Sequence, residues 1–289
     1  MSRVTPHVFL TRFNLPANRV EQAIFSPEWL DARMQLFEAY TVPSVRAQGR
    51  EGVSWVVYLD ALGTPQWLRD RMVELQQELP LHPIYLDGPL DREAIKTHVM
   101  QVSGQTSGLV STSNLDNDDG LATDFVRRVR ALVPDQAPAA LYLTRGLILS
   151  GDRVYLRQDR DNAFGAVVDD VSSPGFVSCW AARHNELDSL MPVVREDGAP
   201  AWLQVVHGRN VSNRVGGRMT SPGRQASYFP GLIDDLPPLS RQDKARDAVA
   251  QPVRLVRDRV LRPGASVLRK VIGVRRYESL KLTFGSLGK

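Results

Sequence analysis

The pattern in this chain best suited to chemistry is Asp116-x-Asp118-Asp119, three carboxylates within four residues. Carboxylates this close repel one another, and a fold tolerates them in a solvated turn or around a cation. An EF-hand is excluded. Its loop would place an acid or amide fifth and a glutamate twelfth, where this chain has Gly120 and Arg127. The plainer reading is a helix N-cap, since acids ahead of a helix satisfy its free N–H groups and its dipole. A cap needs one acid rather than three. The cluster therefore points either to a divalent cation or to a cap, and its neighbouring elements bear on the choice.

Those elements read as strand and helix in alternation. His7 to Leu10 begins a first strand that ends at Thr11-Arg12-Phe13-Asn14. Leu30, Met34, Phe37 and Tyr40 give Trp29 to Val45 a helical spacing, with Pro43 expected to kink or end that helix. Ser54 to Asp60 is an apolar strand closed by an acid, and Gln66 to Leu79 is a helix led by Pro65. Pro83 to Gly88 is a short strand and turn, Asp91 to Val102 a helix, Gly108 to Ser113 a strand and Leu121 to Val133 a helix. Such alternation predicts an α/β fold with a mostly parallel sheet flanked by helices. Ligands of such sheets bind beyond the carboxyl ends of the strands. Asp60, Asp87 and the aspartate cluster all fall there.

After Pro134 the pattern changes. Gly146 to Leu149 and Arg153 to Leu156 flank Gly151-Asp152 as an antiparallel hairpin. Phe176 to Trp180 reads as a strand and His184 to Leu190 as a short helix. Ala201 to His207 is a strand that ends on a histidine, followed by a glycine-rich loop carrying Arg209, Arg214 and Arg218. Pro222, Pro230, Pro237 and Pro238 mark a linker or wrapping arm. The remaining tail has helical apolar spacing, interrupted at Pro263-Gly264.

Composition bounds the alternatives. With 289 residues, 43% hydrophobic and 24% charged, the chain is globular, which excludes disorder and coiled coil. Its one cysteine, Cys179, excludes an intramolecular disulfide framework and a multi-cysteine zinc site. No apolar run is long enough to span a bilayer, and the apolar stretch after the N-terminus is too short for a secretory signal. The expectation is a soluble, cytoplasmic protein. From Val253 to Lys289 the chain carries ten basic and two acidic residues, a local +8 within an overall +4. A basic tail of this kind suits an anionic leaflet, which would place the protein at the inner membrane face, or it is a solvated tail. It lacks interleaved aromatics, which argues against nucleic acid. There is no G-x-G-x-x-G, Walker loop, H-E-x-x-H or G-x-S-x-G.

The run from Val110 to Asp119, strand then D-x-D-D then helix, resembles the D-x-D motif of nucleotide-sugar glycosyltransferases of the GT-A fold. Val56 to Thr64 resembles the strand whose terminal acid contacts the donor's base in family 2-like enzymes, and Tyr40 to Gln48 resembles the preceding helix. Together with His7 to Asn14, Leu115 to Asp119 and Trp202 to Asn213, these segments resemble the putative rhamnosyltransferase family over about Val4 to Arg218. The tail has no counterpart in that resemblance. It implies a GT-A-like domain over residues 1–221, with a nucleotide-binding half (1–135) and an acceptor half (136–221). Residues 222–289 follow as a Pro-rich arm and basic helical tail.

The resemblance also implies roles. Asp118 would be the main ligand of Mn²⁺ or Mg²⁺, supported by His207, with Asp116 on the metal or the donor's ribose. Without it, a histidine at a strand end reads as a hydrogen-bonded structural residue. Asp60 would contact the base of a nucleoside-diphosphate sugar, Thr11 and Arg12 would line the donor pocket, and Arg209 and Arg214 would form a lid. An inverting reaction needs a carboxylate to take the acceptor's proton. Glu186 and Asp188 are the candidates by position, and Asp169 and Asp170 also qualify. Trp180 and Trp202 are read either as a sugar-stacking platform or as core. The acceptor would be a glycan or a lipid-linked molecule. The competing readings are a nucleotidyltransferase and a non-catalytic sugar-nucleotide-binding protein.

Overall fold

The computed structural model describes residues 4–15, 22–207, 215–252 and 254. Its strands, in chain order, are β1 (His7–Arg12), β2 (Val53–Asp60), β3 (Leu81–Leu86), β4 (Leu109–Asn114), β5 (Gly120–Leu121) and β6 (Ala139–Leu143), followed by β7 (Arg145–Ser150), β8 (Arg153–Gln158), β9 (Ala166–Asp170), β10 (Val193–Glu196), β11 (Trp202–Val206) and β12 (Arg218–Thr220). The helices are α1 (Pro27–Leu36), α2 (Val42–Arg46), α3 (Gln66–Glu78), α4 (Arg92–Ser103) and α5 (Phe125–Ala131), followed by α6 over residues 241–252.

A central sheet runs β10-β6-β9-β4-β1-β2-β3 and is parallel except for the reversed β9. The expected mostly parallel α/β sheet is therefore present. β1 and β2 are buried along nearly their whole length, as near-continuous apolar runs require when helices cover both faces. One face packs Leu30 and Met34 of α1, Leu68 and Met72 of α3, and Phe125 and Val129 of α5. The other packs Ile95 and Val99 of α4 with Phe176, Leu187 and Met191.

The chain leaves this sheet at Thr144 and builds a second one, ordered β12-β8-β7-β11-β5. The expected hairpin is its centre: β7 and β8 pair antiparallel across Gly151, whose φ of 57° suits the tight turn. A third core lies on this sheet, where Leu147, Leu149, Val154 and Leu203 bury Phe229, Leu232 and Ile233 from the Pro-rich arm. α6 opens on Ser240, whose hydroxyl accepts from the Asp243 N–H at 3.0 Å. Asp243 pairs with Arg153 of β8 at 3.1 Å, and Asp247 accepts from the Met219 N–H of β12 at 3.0 Å. The basic tail at 253 and 255–289 lies outside the described residues.

Several expected boundaries move, each for a local reason. Pro43 does not end its helix. A wider π turn over Phe37–Thr41, closed by the Val42 N–H on the Phe37 carbonyl, puts Pro43 in the first turn of α2, where its missing N–H costs little. The helix expected from Leu121 starts at Phe125, because Gly120 and Leu121 pair with Leu203 and Trp202 in the second sheet. Phe176 to Trp180 is a loop rather than a strand; the Cys179 N–H binds the Thr112 hydroxyl at 2.9 Å and holds the loop beside β4. Of His184 to Leu190, only Leu187–Ser189 is helical, as a 3₁₀ turn.

Candidate functional site

The aspartate cluster sits beyond the carboxyl end of β4, in a turn clamped from both sides. The Leu115 N–H binds the Leu10 carbonyl at 3.1 Å, and the Thr11 hydroxyl donates to the Leu115 carbonyl at 2.6 Å. Asn117 donates through Nδ2 to the carbonyls of Arg12 and Phe13 at 3.2 and 2.8 Å. The Thr41 hydroxyl, at the end of the π turn, donates to the Asp119 carbonyl at 2.9 Å. Two strand ends and a helix junction thus hold the turn. The cap reading fails here, because the N-cap position of α5 belongs to Asp124.

Within the turn the three carboxylates have separate surroundings. Asp118 is buried, and its Oδ2 lies 2.8 Å from Nε2 of His207, which stands just past β11. The same oxygen meets Nη1 of Arg33 on α1 at 2.5 Å. Burial opposes ionisation of Asp118, but the hydrogen bond with His207 and the Arg33 guanidinium outweigh it and hold the carboxyl below its usual range. Asp119 is deeper. Its Oδ1 accepts from the Val205 N–H at 2.8 Å, while its Oδ2 is buried without a hydrogen-bond partner among the described residues. Desolvation, followed by the charges of Asp118 and Asp116, pushes the Asp119 carboxyl well above the ordinary range. Asp116 is exposed, and its Oδ1 accepts from Asn114 Nδ2 at 3.2 Å.

Of the three ligands inferred from the sequence, the fold brings Asp118 and His207 into contact across 89 positions of chain. Asp116 does not join them: among the described residues no group of three or more His, Cys, Asp or Glu side chains is arranged to hold a metal ion. One carboxylate and one imidazole still form a donor set that Mn²⁺ or Mg²⁺ accepts, with the other positions left to phosphate oxygens and water. The partnerless oxygen of Asp119 belongs to the same cluster. The residues present therefore fit a divalent ion as a two-ligand set.

The other inferred residues divide. Asp60 closes β2, and its Oδ1 accepts from the N–H groups of Leu62 and Gly63 at 2.9 and 2.5 Å, shaping the turn it would use to meet a base. Asn14 braces that turn, accepting the Asp60 N–H at 3.2 Å. Thr11 does not line a pocket. It is fully buried, and its hydroxyl is occupied by Leu115 and by the Trp55 indole N–H at 2.9 Å. Arg12 is exposed and stacks on Trp180, 4.4 Å from the ring centroid. Trp180 in turn donates to Asn114 at 2.8 Å. Trp202 is core: it stacks on Phe164 at 5.1 Å and its indole N–H binds the Leu143 carbonyl at 3.0 Å, so no platform uses it. Glu186 and Asp188 are exposed at the 3₁₀ turn. Asp169 spends both oxygens on the N–H groups of Asp170 and Val177, each at 2.8 Å. Asp170 spends Oδ1 on Ser172 and the Gly108 N–H. Arg209 and Arg214 lie outside the described residues.

Sequence reading missed Arg33, Asn117 and Asn14. Arg33 carried no signal, because it sits in a helix 85 positions before the acid it meets. Asn117 lies inside the D-x-D-D run and could have been noticed as the residue that ties the turn to β1.

In this α/β fold an acidic turn past β4 of the central sheet meets a histidine past β11 of the second sheet, each at the carboxyl end of its strand. The profile of the putative rhamnosyl transferase family matches residues 6–219, and the chain belongs to that family. No curated protein matches it significantly. Among solved structures it is similar to S. aureus TarS residues 1–349 in complex with UDP-GlcNAc, at 11% identity and a TM-score of 0.43, with 78% of this chain and 64% of that one covered. The chain thus spans less than two thirds of TarS 1–349. The complex of the same TarS segment with UDP matches at 13% identity, a TM-score of 0.42 and 70% and 60% coverage. A 4-diphosphocytidyl-2C-methyl-D-erythritol synthase matches at 12% identity and a TM-score of 0.35, with 80% of this chain and 99% of that one covered.

Proposed function

We propose that this protein is a GT-A-like, metal-dependent glycosyltransferase that moves a sugar, rhamnose or another hexose, from a nucleoside-diphosphate donor to a glycan or lipid-linked acceptor. The observation that carries the reading is the contact between Asp118 and His207 in a clamped turn at the carboxyl edge of the sheet. Family membership supports the reaction class.

In this reading Asp118 and His207 hold a Mn²⁺ or Mg²⁺ ion, with Asp116 reaching the ion through water or meeting the ribose. When bound, the ion neutralises charge that gathers on the departing diphosphate. Asp60 meets the donor's base from its turn. Arg12, exposed and held over the Trp180 ring, offers a guanidinium to the donor's phosphates. On the acceptor side, an inverting course needs a carboxylate that accepts the proton as the acceptor hydroxyl attacks. Glu186 and Asp188, both exposed at the 3₁₀ turn, are the candidates for it. The Tyr142 hydroxyl donates to the His184 carbonyl and so ties the segment that carries them to β6. Residues 1–135 bind the nucleotide and 136–221 the acceptor, while the basic tail meets an anionic leaflet at the cytoplasmic face. No helix among the described residues is long and apolar enough to cross a membrane.

The test is D118N, assayed with a panel of nucleotide-sugars and Mn²⁺ for donor hydrolysis and transfer. Loss of one charge-stabilising group predicts a fall of about 10²- to 10³-fold. Retention of near wild-type turnover in D118N would overturn the reading.

A further inference from the structure

Arg33 has no part in the reading above, yet it makes the shortest charged contact described for the aspartate cluster. Ser26 caps α1 by accepting the Trp29 N–H at 3.2 Å, which fixes the first turn of the helix. Trp29 and Arg33 are four residues apart and so share a face. The guanidinium carbon lies 4.9 Å from the Trp29 ring centroid. Beyond the ring, Nη1 reaches Asp118 Oδ2 at 2.5 Å, the oxygen that also meets His207. The two side chains are only 11% and 7% exposed, so solvent does little to screen the pair.

The oxygen that a divalent ion would take is therefore already held by a cation that cannot lose its charge at any ordinary pH. Such a charge has a clear use. A buried carboxylate with two further acids beside it in the same turn needs a counter-ion to stay in the fold. We propose that Arg33 is a placeholder cation: it neutralises Asp118 while the site holds no metal, and a divalent ion loads by displacing the guanidinium from Oδ2. The proposal rests on the reading of Asp118 and His207 as ligands. Because Arg33 cannot deprotonate, it must move, and a diphosphate offers anionic oxygens to the incoming ion and the displaced guanidinium together. Metal alone then binds weakly, and metal and donor load as a pair.

The experiment measures Mn²⁺ affinity of the full chain without nucleotide, by the electron paramagnetic resonance signal of free Mn²⁺. R33Q should bind Mn²⁺ about tenfold tighter than wild type or better, R33K close to wild type, and D118N far more weakly. W29L keeps the charge and removes the ring beneath it. It should gain a few-fold in affinity, and it carries the test if circular dichroism shows R33Q unfolded. A side chain with a merely structural role would weaken metal binding when removed. Unchanged or weaker binding by R33Q, or by W29L in its place, overturns the placeholder, while loss of the ion in D118N leaves the ligand reading standing. Failure of wild type and R33Q alike to bind Mn²⁺ overturns both.

Discussion

Thr11 and Asp118 show how one strand edge yields residues of opposite kinds. Both lie at the carboxyl end of the sheet, and both are polar. Thr11 faces inward, where its hydroxyl joins the Leu115 carbonyl to the Trp55 indole. T11V removes the hydroxyl at nearly constant volume and leaves both partners buried and unsatisfied, so it should cost about 2–4 kcal/mol in denaturant unfolding. The KM for donor should stay near wild type in the fraction that folds, because the side chain reaches no ligand. A large KM change without loss of stability would return Thr11 to the donor pocket. Asp118 was legible as a candidate, since three acids in one turn demand a reason. His207 was joined to it only through the family resemblance, and Arg33 not at all, because residue type and spacing carry no record of which distant side chain a carboxylate will meet.

At the scale of elements, the junction between the two sheets decides how His207 is delivered. β11 sits between β7 and β5, and β5 is the continuation of the aspartate turn. The chain following the acids thus pairs with the strand that carries the histidine. Gly146 on β7 makes this register workable, because a Cβ built there would overlap the Trp202 indole. G146A forces the ring or the strand to move, and overpacking of this kind costs about 1–3 kcal/mol or more. On the proposed metal reading it should also weaken Mn²⁺ binding, since His207 stands just past the strand that Trp202 opens. Wild-type stability of G146A in a chemical melt would show that the ring has room. Hydrophobic period anticipated β1, β2, β4, β11 and α3 closely. It could not anticipate β5, whose two residues are a strand only because Trp202 and Leu203 lie opposite.

At the scale of the molecule, the arm after residue 221 is built into the fold. Phe229 is fully buried among the third core, and Asp243 and Asp247 fasten α6 to β8 and β12. F229A should destabilise the protein by about 3–5 kcal/mol. A chain ending at residue 221 should be recovered unfolded or aggregated, with the apolar face of the second sheet bare. A soluble 1–221 fragment that melts cooperatively near the full-length temperature would show the arm to be an accessory. The family match ends at residue 219, just before this arm.

Local rules were enough to read the α/β alternation, the hairpin, the acidic turn and the histidine at the end of its strand. Each is written in period, turn chemistry or residue type within a short window. The family resemblance put His207 with Asp118; tertiary structure alone decided that the two touch directly, that Asp116 stays outside that pair, that Thr11 is buried and that Arg33 takes the shared oxygen. These depend on strand order and on how α1 crosses the sheet edge. Both are set by burial summed over the whole core, which favours one packing of distant elements without leaving a mark at the residues it brings together.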